Sequence, residues 1–364
     1  MIMPRVHNYY AGPAALPLEA LEAAREELLD FQGSGVSVME TSHRSKEYDQ
    51  VHNETIALVK ELMGLGDNYQ VLLLQGGASM QFAMVPMNLL GEGQSADYIL
   101  TGSWSQKAIK EAKIIGSARV AATTEKDGVF ASIPKQDQLD LDAKAVYCHL
   151  TSNNTIFGTQ WAKFPDTGSV ALVADMSSDI LSRRFDPAPF GIIYAGAQKN
   201  LGPSGLAVVV IRQDILDKCK KGLPTLLSYN THADKNSLYN TPPSFTIYMV
   251  CQVLRWVKKS GGVEVMEKIN TEKADLIYGA IDGSGGFYTN NIPAEDRSQM
   301  NVVFRLGSEE LEKKFVAEGL AEGLVGLKGH RSVGGIRVSI YNANGLDSVK
   351  TVVGFMNDFA AKNG

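Results

Sequence analysis

The sequence predicts an α/β protein: a mostly parallel, seven-stranded sheet flanked by helices, with a smaller α+β unit after it. Three observations predict this. Seven short apolar runs lie between Tyr69 and Arg212, helix-period stretches separate some of them, and beyond about residue 260 the alternation changes. Near-continuous apolar runs suit strands buried on both faces. Their alternation with helices argues for a parallel sheet inside helical layers.

Taken in order, the first element is a helix over Pro17–Phe31. It has Pro in its first turn, acidic residues early, apolar residues at helical spacing and Gly33 just beyond. A second helix runs from Lys46 to Met63 and stops at Gly64. The strand runs follow: Val71–Leu74, Tyr98–Leu100, Ala118–Ala122, Val146–Leu150, Val170–Ala174, Ile192–Ala195 and Leu206–Ile211. Ser105–Ile115 reads as one of the intervening helices. The last run follows the sixth after a short Gly-rich link, which suits one antiparallel strand. A long helix, Ser244–Lys259, ends with Lys258 and Lys259 in its last turn and Gly261-Gly262 beyond. A domain boundary is expected there. After it come a strand at Asn301–Leu306, a helix at Ser308–Glu322, strands at Leu324–Lys328 and Gly335–Tyr341, and a final helix. That helix places Val349, Val352, Val353, Met356 and Phe359 on one stripe.

Composition narrows the class. At roughly 150 residues per domain, 364 residues suggest two domains. A net charge of −5 argues against a dedicated nucleic-acid binder. Cys148, Cys219 and Cys251 are odd in number and widely spaced, which excludes a disulfide framework or a thiolate zinc site. No metal is expected. The N-terminal Met1-Ile2-Met3-Pro4-Arg5 lacks a charged-then-apolar signal pattern, and the apolar runs fall short of the roughly 18 residues of a membrane span. A cytoplasmic protein without membrane contact is therefore expected.

In open α/β sheets, ligands bind beyond the carboxyl ends of the strands. After Leu74 comes Gln75-Gly76-Gly77-Ala78-Ser79, either a plain turn or a helix start opened to a phosphate. After Leu100, Trp104 is either core or a stacking ring. Thr151-Ser152-Asn153-Asn154-Thr155 follows Leu150. Asp175 follows Ala174, either as a cap or as a buried carboxylate that needs a cationic partner. Lys199, in Gly196-Ala197-Gln198-Lys199-Asn200, is either solvated or a desolvated nucleophilic amine. Each bland alternative is respectable alone. Together these groups are what pyridoxal phosphate needs: a lysine, an acid for the ring nitrogen, a stacking ring and a phosphate anchor.

These residues resemble one family, the phosphoserine aminotransferases of the fold-type I, class V pyridoxal-phosphate enzymes. The matching stretches begin with Asn8-Tyr9-Tyr10-Ala11-Gly12-Pro13-Ala14 and Ser42-His43-Arg44-Ser45-Lys46. Gln75–Ser79, Ala174–Ser178, Gly196–Asn200 and Gly334–Asn342 follow in family order, across almost the whole chain. The resemblance implies a large cofactor-binding domain over 16–260 and a small domain over 1–15 and 261–364. It implies that Lys199 is the Schiff-base lysine and proton carrier, that Asp175 pairs with the ring nitrogen, and that Trp104 stacks on the ring. Thr155 is then near the phenolic oxygen, and Ala78, Ser79 and Gln198 hold the cofactor phosphate. Asn240-Thr241 matches a pair that completes that site from the neighbouring subunit, which makes a homodimer with shared active sites obligatory. Gly77-Ala78-Ser79 lacks the arginine that some relatives carry after the glycine pair, so one phosphate contact differs.

Five further groups, His43, Arg44, His330, Arg331 and Arg337, are cationic or potentially so in an acidic protein. Taken singly, a surface Arg or a core His is the bland reading. Arg binds carboxylate and phosphate bidentately. By family match, Arg337 takes the α-carboxylate. The others suit a phosphate or the side carboxylate of glutamate, with Arg44 expected from across the dimer. The implied reaction is ping-pong transamination of 3-phosphohydroxypyruvate with L-glutamate, giving O-phospho-L-serine and 2-oxoglutarate in serine biosynthesis. The rivals are another class V enzyme, such as an alanine–glyoxylate aminotransferase or a cysteine desulfurase, and a non-catalytic module that binds a phosphorylated ligand.

Overall fold

The seven apolar runs form one sheet: β1 (Tyr69–Gln75), β2 (Ser95–Leu100), β3 (Ser117–Thr123), β4 (Cys148–Thr151), β5 (Leu172–Asp175), β6 (Phe190–Gly196) and β7 (Leu206–Arg212). The computed structural model describes residues 5–364; Met1 to Pro4, the start of the expected 1–15 segment, lie outside the described residues. Across the sheet the order is β1-β7-β6-β5-β4-β2-β3. The β6-β5-β4-β2-β3 pairings are parallel, and β7 runs antiparallel to both β6 and β1. The single antiparallel strand is thus the one expected.

Every residue of β4, β5 and β6 is buried, because both faces are covered. Val71, Leu73, Ile193, Val208 and Val210 face one core, while Leu72, Leu74, Ile192, Val209 and Ile211 face the other. The period of two is there, hidden because both faces are apolar. Helix α2 (Lys46–Met63) packs on the first side. Ser45 Oγ accepts from Tyr48 N at its start, and Gly64 ends it with φ 65°. Helices α3 (Gly77–Leu89) and α4 (Ser103–Ile115) pack on the second side.

Helix α1 covers only Leu18–Glu27, short of the expected Phe31. The chain reverses after it: Phe31 N donates to the Val36 carbonyl, and Phe31 turns inward, edge-on to Tyr248. Burying that ring is worth about 2 kcal/mol more than leaving it exposed, so tertiary packing wins over continued helix.

Helix α5 (Ser244–Lys259) has the expected bounds. The next helix, α6 (Gly262–Asp282), falls where no element was expected. Its first buried residues, Val263 and Met266, join the large-sheet core, while Ala274, Ile277 and Ile281 join a separate C-terminal core. Between them, Asn270 and Lys273 are fully buried. These two polar side chains interrupt the stripe that would mark an amphipathic helix. In the C-terminal unit β8 (Asn301–Phe304) pairs antiparallel with β9 (Ile336–Ser339) against α7 (Glu309–Ala321) and α8 (Leu346–Asn363). His7–Asn8 pairs parallel with Leu324–Val325, and Tyr9 is buried in this same core.

Candidate active site

The five parallel strands that run from β2 to β6 release their carboxyl ends on one edge, and the predicted site residues collect there. After β6 the Ala197 carbonyl accepts from Leu201 N and Gly202 N. This turn directs Lys199 inward, where it is 9% exposed. Its Nζ donates to Thr155 Oγ1 at 2.6 Å and lies 5.3 Å from the Trp104 ring centre. The N-terminal segment passes over it. Ala14 N donates to the Gln198 carbonyl, and a Cβ on Gly12 would stand 3.2 Å from Lys199 Cγ. Burial pushes the Lys199 ammonium down to about 8, and Arg337 adds to this, while Asp175 opposes it.

Asp175 ends β5, buried. One oxygen accepts from Ser177 N at 3.0 Å and Ser177 Oγ at 2.5 Å. Burial raises its pKa, with Lys199 and then Ser177 pulling it down. A second buried acid, Asp179, was not singled out from the sequence. It accepts from Ser152 Oγ and from Gln160 Nε2, and Ser152 Oγ also donates to the Asp175 carbonyl. Its spacing of four from Asp175 reads as helix polarity, so only the fold exposes its place.

Gly76 and Gly77 adopt φ of 90° and 61° and open the first turn of α3. That turn has no side-chain cap, which leaves backbone N–H groups free for an anion. A cleft of about 410 Å³ is lined by Gly76, Ala78, Ser79, Trp104, Asp175 and Lys199, with Gln198 beside them. Ser177, in the stretch after β5, and Ser204 and Gly205, which carry no sequence signal of their own, also line it. Trp104 Nε1 is buried without a hydrogen-bond partner.

The cations divide into two groups. Arg337, on β9, donates from Nη1 to the Thr155 carbonyl at 3.1 Å, and its buried Nε has no partner. His330 and Arg337 line an adjoining cleft of about 490 Å³. Burial lowers the His330 pKa, as do the charges of Arg337, Arg331 and Lys107. Arg331 is exposed at its side. His43 and Arg44, by contrast, precede α2 and line neither cleft. Asn240 and Thr241 sit against Gln75: its Nε2 donates to the Thr241 carbonyl at 2.9 Å and its Oε1 accepts from Asn240 at 3.3 Å. Neither lines the Lys199 cleft of its own chain.

Other chemistries find less support. All three cysteines are free and buried, and burial pushes Cys148 and Cys219 up to about 12 and Cys251 to about 11. Such thiols are poor nucleophiles. Among the described residues no cluster of three or more His, Cys, Asp or Glu is placed to hold a metal, and no helix is long and apolar enough to cross a membrane.

Residues 6–352 match the model of the family described as aminotransferase class-V. A phosphoserine aminotransferase of Herpetosiphon aurantiacus is 57% identical over 359 residues, covering 99% of each chain. The solved phosphoserine aminotransferase from Bacillus circulans subsp. alkalophilus superposes with a TM-score of 0.96 at 56% identity, covering 99% of each chain. A second phosphoserine aminotransferase structure, one of a series on radiation damage of its Schiff base, has a TM-score of 0.96 at 51% identity. It covers 99% of this chain and 100% of its own.

Proposed function

The chain belongs to the class V aminotransferases, and on that premise we propose that it transfers the amino group of L-glutamate to 3-phosphohydroxypyruvate. The products are 2-oxoglutarate and O-phospho-L-serine, which places the reaction in L-serine biosynthesis. One observation carries the reading. A buried amine, a buried acid, an indole and an uncapped helix start share one cleft, with Arg337 reaching its edge through Thr155.

Pyridoxal 5'-phosphate fits these residues. The uncapped first turn of α3, opened by Gly76 and Gly77, leaves backbone N–H groups for a phosphate in the cleft that also holds Lys199 and Asp175. When bound, the cofactor supplies an aldehyde carbon that takes up the amino group and a ring that withdraws electrons from the substrate Cα. Ala78, Ser79 and Gln198 hold its phosphate at the first turn of α3. Asp175 pairs with the protonated ring nitrogen, Trp104 covers the ring, and Thr155 stands near the phenolic oxygen. The raised pKa of Asp175 expresses the need of this buried carboxylate for a cation.

Lys199 is the base. Its amine, lowered to about 8, is partly free of its proton near neutral pH. It can therefore take the proton from the substrate Cα and return it, as general acid–base work requires. Arg337 binds the α-carboxylate. His330 and Arg331 take the phosphate of one substrate and the side carboxylate of the other. Glutamate reacts and leaves before the keto acid binds, a ping-pong order.

His43, Arg44, Asn240 and Thr241 serve the neighbouring subunit in a homodimer. Two things support this: none of the four lines the cleft of its own chain, and exposed apolar residues stand near them, Met39 before His43 and Tyr239 before Asn240. Free, buried thiols agree with a reducing cytoplasm. The testing experiment compares 3-phosphohydroxypyruvate with unphosphorylated hydroxypyruvate as amino acceptors. Arg331→Ala should weaken the phosphorylated acid about 10- to 150-fold, the loss of one charged hydrogen bond. Equal losses for both acids would refute the phosphate assignment.

A further inference from the structure

One cation next to the Trp104 ring, outside the lining of either cleft, has no role in the reaction as described. Lys107 lies on α4, one turn after Trp104, and is exposed. Its Nζ stands 4.5 Å from the centre of the Trp104 ring. Glu111, one turn further along, makes no ion pair with it, although i,i+4 pairs form elsewhere, at Lys218–Asp214 and Lys314–Glu318. The amine thus lies over the indole that covers the cofactor site, with no carboxylate attached.

The setting carries net positive charge. The charges acting on His330 are Arg337, Arg331 and Lys107, and all three push its pKa down. Asp127 lines the same cleft as His330, against Arg305 and Arg337; with Arg331 and Lys107 added, the balance is cationic and favours a dianion that enters. A phosphate carries up to two negative charges and a carboxylate only one, so an added point charge favours the phosphorylated acid. Lys suits this part, since a compact ammonium on a flexible stem attracts without fixing geometry.

We propose that Lys107 is a specificity residue of the substrate site, its ammonium held over the Trp104 ring to draw in the phosphate of the keto acid. This rests on the reading that His330 and Arg331 receive that phosphate. Lys107→Met keeps an apolar stem over the indole and removes the charge, whereas Lys107→Arg keeps the charge.

The measured quantity is the ratio of kcat/KM for 3-phosphohydroxypyruvate to that for hydroxypyruvate. In Lys107→Met it should fall about 3- to 10-fold, as expected for a solvent-facing charge acting on a dianion. The fall should shrink in high salt, which loss of packing alone would not produce. Lys107→Arg should restore the ratio. A second readout uses cofactor-free protein: the His330 pKa, followed by NMR, should rise in Lys107→Met and stay low in Lys107→Arg. An unchanged ratio or an unmoved His330 in Lys107→Met overturns the proposal. If Arg331→Ala abolishes the preference for the phosphorylated acid while Lys107→Met retains it, only Lys107 is excluded. If the parent shows no preference, the phosphate reading falls with it.

Discussion

Lys199 and Arg337 meet on one residue: the lysine donates to Thr155 Oγ1 at 2.6 Å and the arginine to the Thr155 carbonyl at 3.1 Å. Thr155 thereby links the amine proposed to carry the proton to the arginine proposed to bind the α-carboxylate. Thr155→Val keeps the shape and the backbone carbonyl but removes the hydroxyl. It should lower kcat about tenfold or more, the value of one charged hydrogen bond. KM for glutamate should change far less, because the Arg337 contact survives. Steady-state kinetics with glutamate separate the two; a change confined to KM would contradict this assignment.

Asp175 and Lys199 are also coupled through charge. In cofactor-free protein the Lys199 amine should titrate near 8, against roughly 10.4 for an exposed lysine. The Asp175 carboxylate favours the charged amine, so Asp175→Asn should lower this pKa further. The pH dependence of amine labelling, read by peptide mass mapping, gives both values. Lys199→Ala should cut transamination by at least about 10²- to 10⁴-fold, the usual range for loss of an acid–base group.

The proposed sharing of Arg44 between subunits predicts complementation. A dimer that pairs a Lys199→Ala chain with an Arg44→Ala chain has one site with both lesions and one with neither. Mixing and re-equilibrating the two inactive variants should restore about a quarter of the parental activity, because half of the dimers are then mixed and each has one sound site. Activity that stays at the level of the separate variants would place Arg44 in its own chain's site.

How much of this was legible in advance depended on where polarity sits. The inner strands of the large sheet were visible because burial on both faces leaves apolar runs, as at Phe190–Gly196, whereas the edge strand Ser117–Thr123, whose residues are mostly not buried, showed only through its small apolar residues. Helix α2 was closely visible because its apolar period is regular and Gly64 marks its end; the Ser45 cap emerges only in the structure. Helix α6 was not, since Asn270 and Lys273 occupy core positions that a periodic reading expects to be apolar. The same holds in the site. Lys199 and Asp175 follow strands and could be read from position alone. Asp179 and the wall at Ser204-Gly205 depend on which segments meet, and spacing does not encode that.

Lys273 yields the last prediction. Fully buried on α6, it donates to the carbonyls of Ile340, Tyr341 and Asn344, one for each N–H of an ammonium. The loop it holds reaches the active site twice. Tyr341 Oη donates to the Ala11 carbonyl, next to the glycine that covers Lys199, and Asn342 N donates to Asn200 Oδ1, next to Lys199 in sequence. Lys273→Met leaves three carbonyls without this donor and should destabilise the fold by about 3 kcal/mol or more. Burial lowers the Lys273 pKa to about 7, while the unfolded chain keeps the usual value near 10.4. Between these values the unfolded state binds more protons, so stability should rise with pH across that window and level off below about 7. Lys199 adds a similar rise in cofactor-free protein, so the comparison belongs in a Lys199→Ala background. The buried thiols of Cys148, Cys219 and Cys251, pushed up to about 11 to 12, pull stability the other way above about pH 8.5, so the test is a difference. Between about pH 7 and about pH 9.5, urea unfolding should show stability changing more favourably with Lys273 present than in Lys273→Met. An equal change in both proteins would leave Lys273 only its three hydrogen bonds.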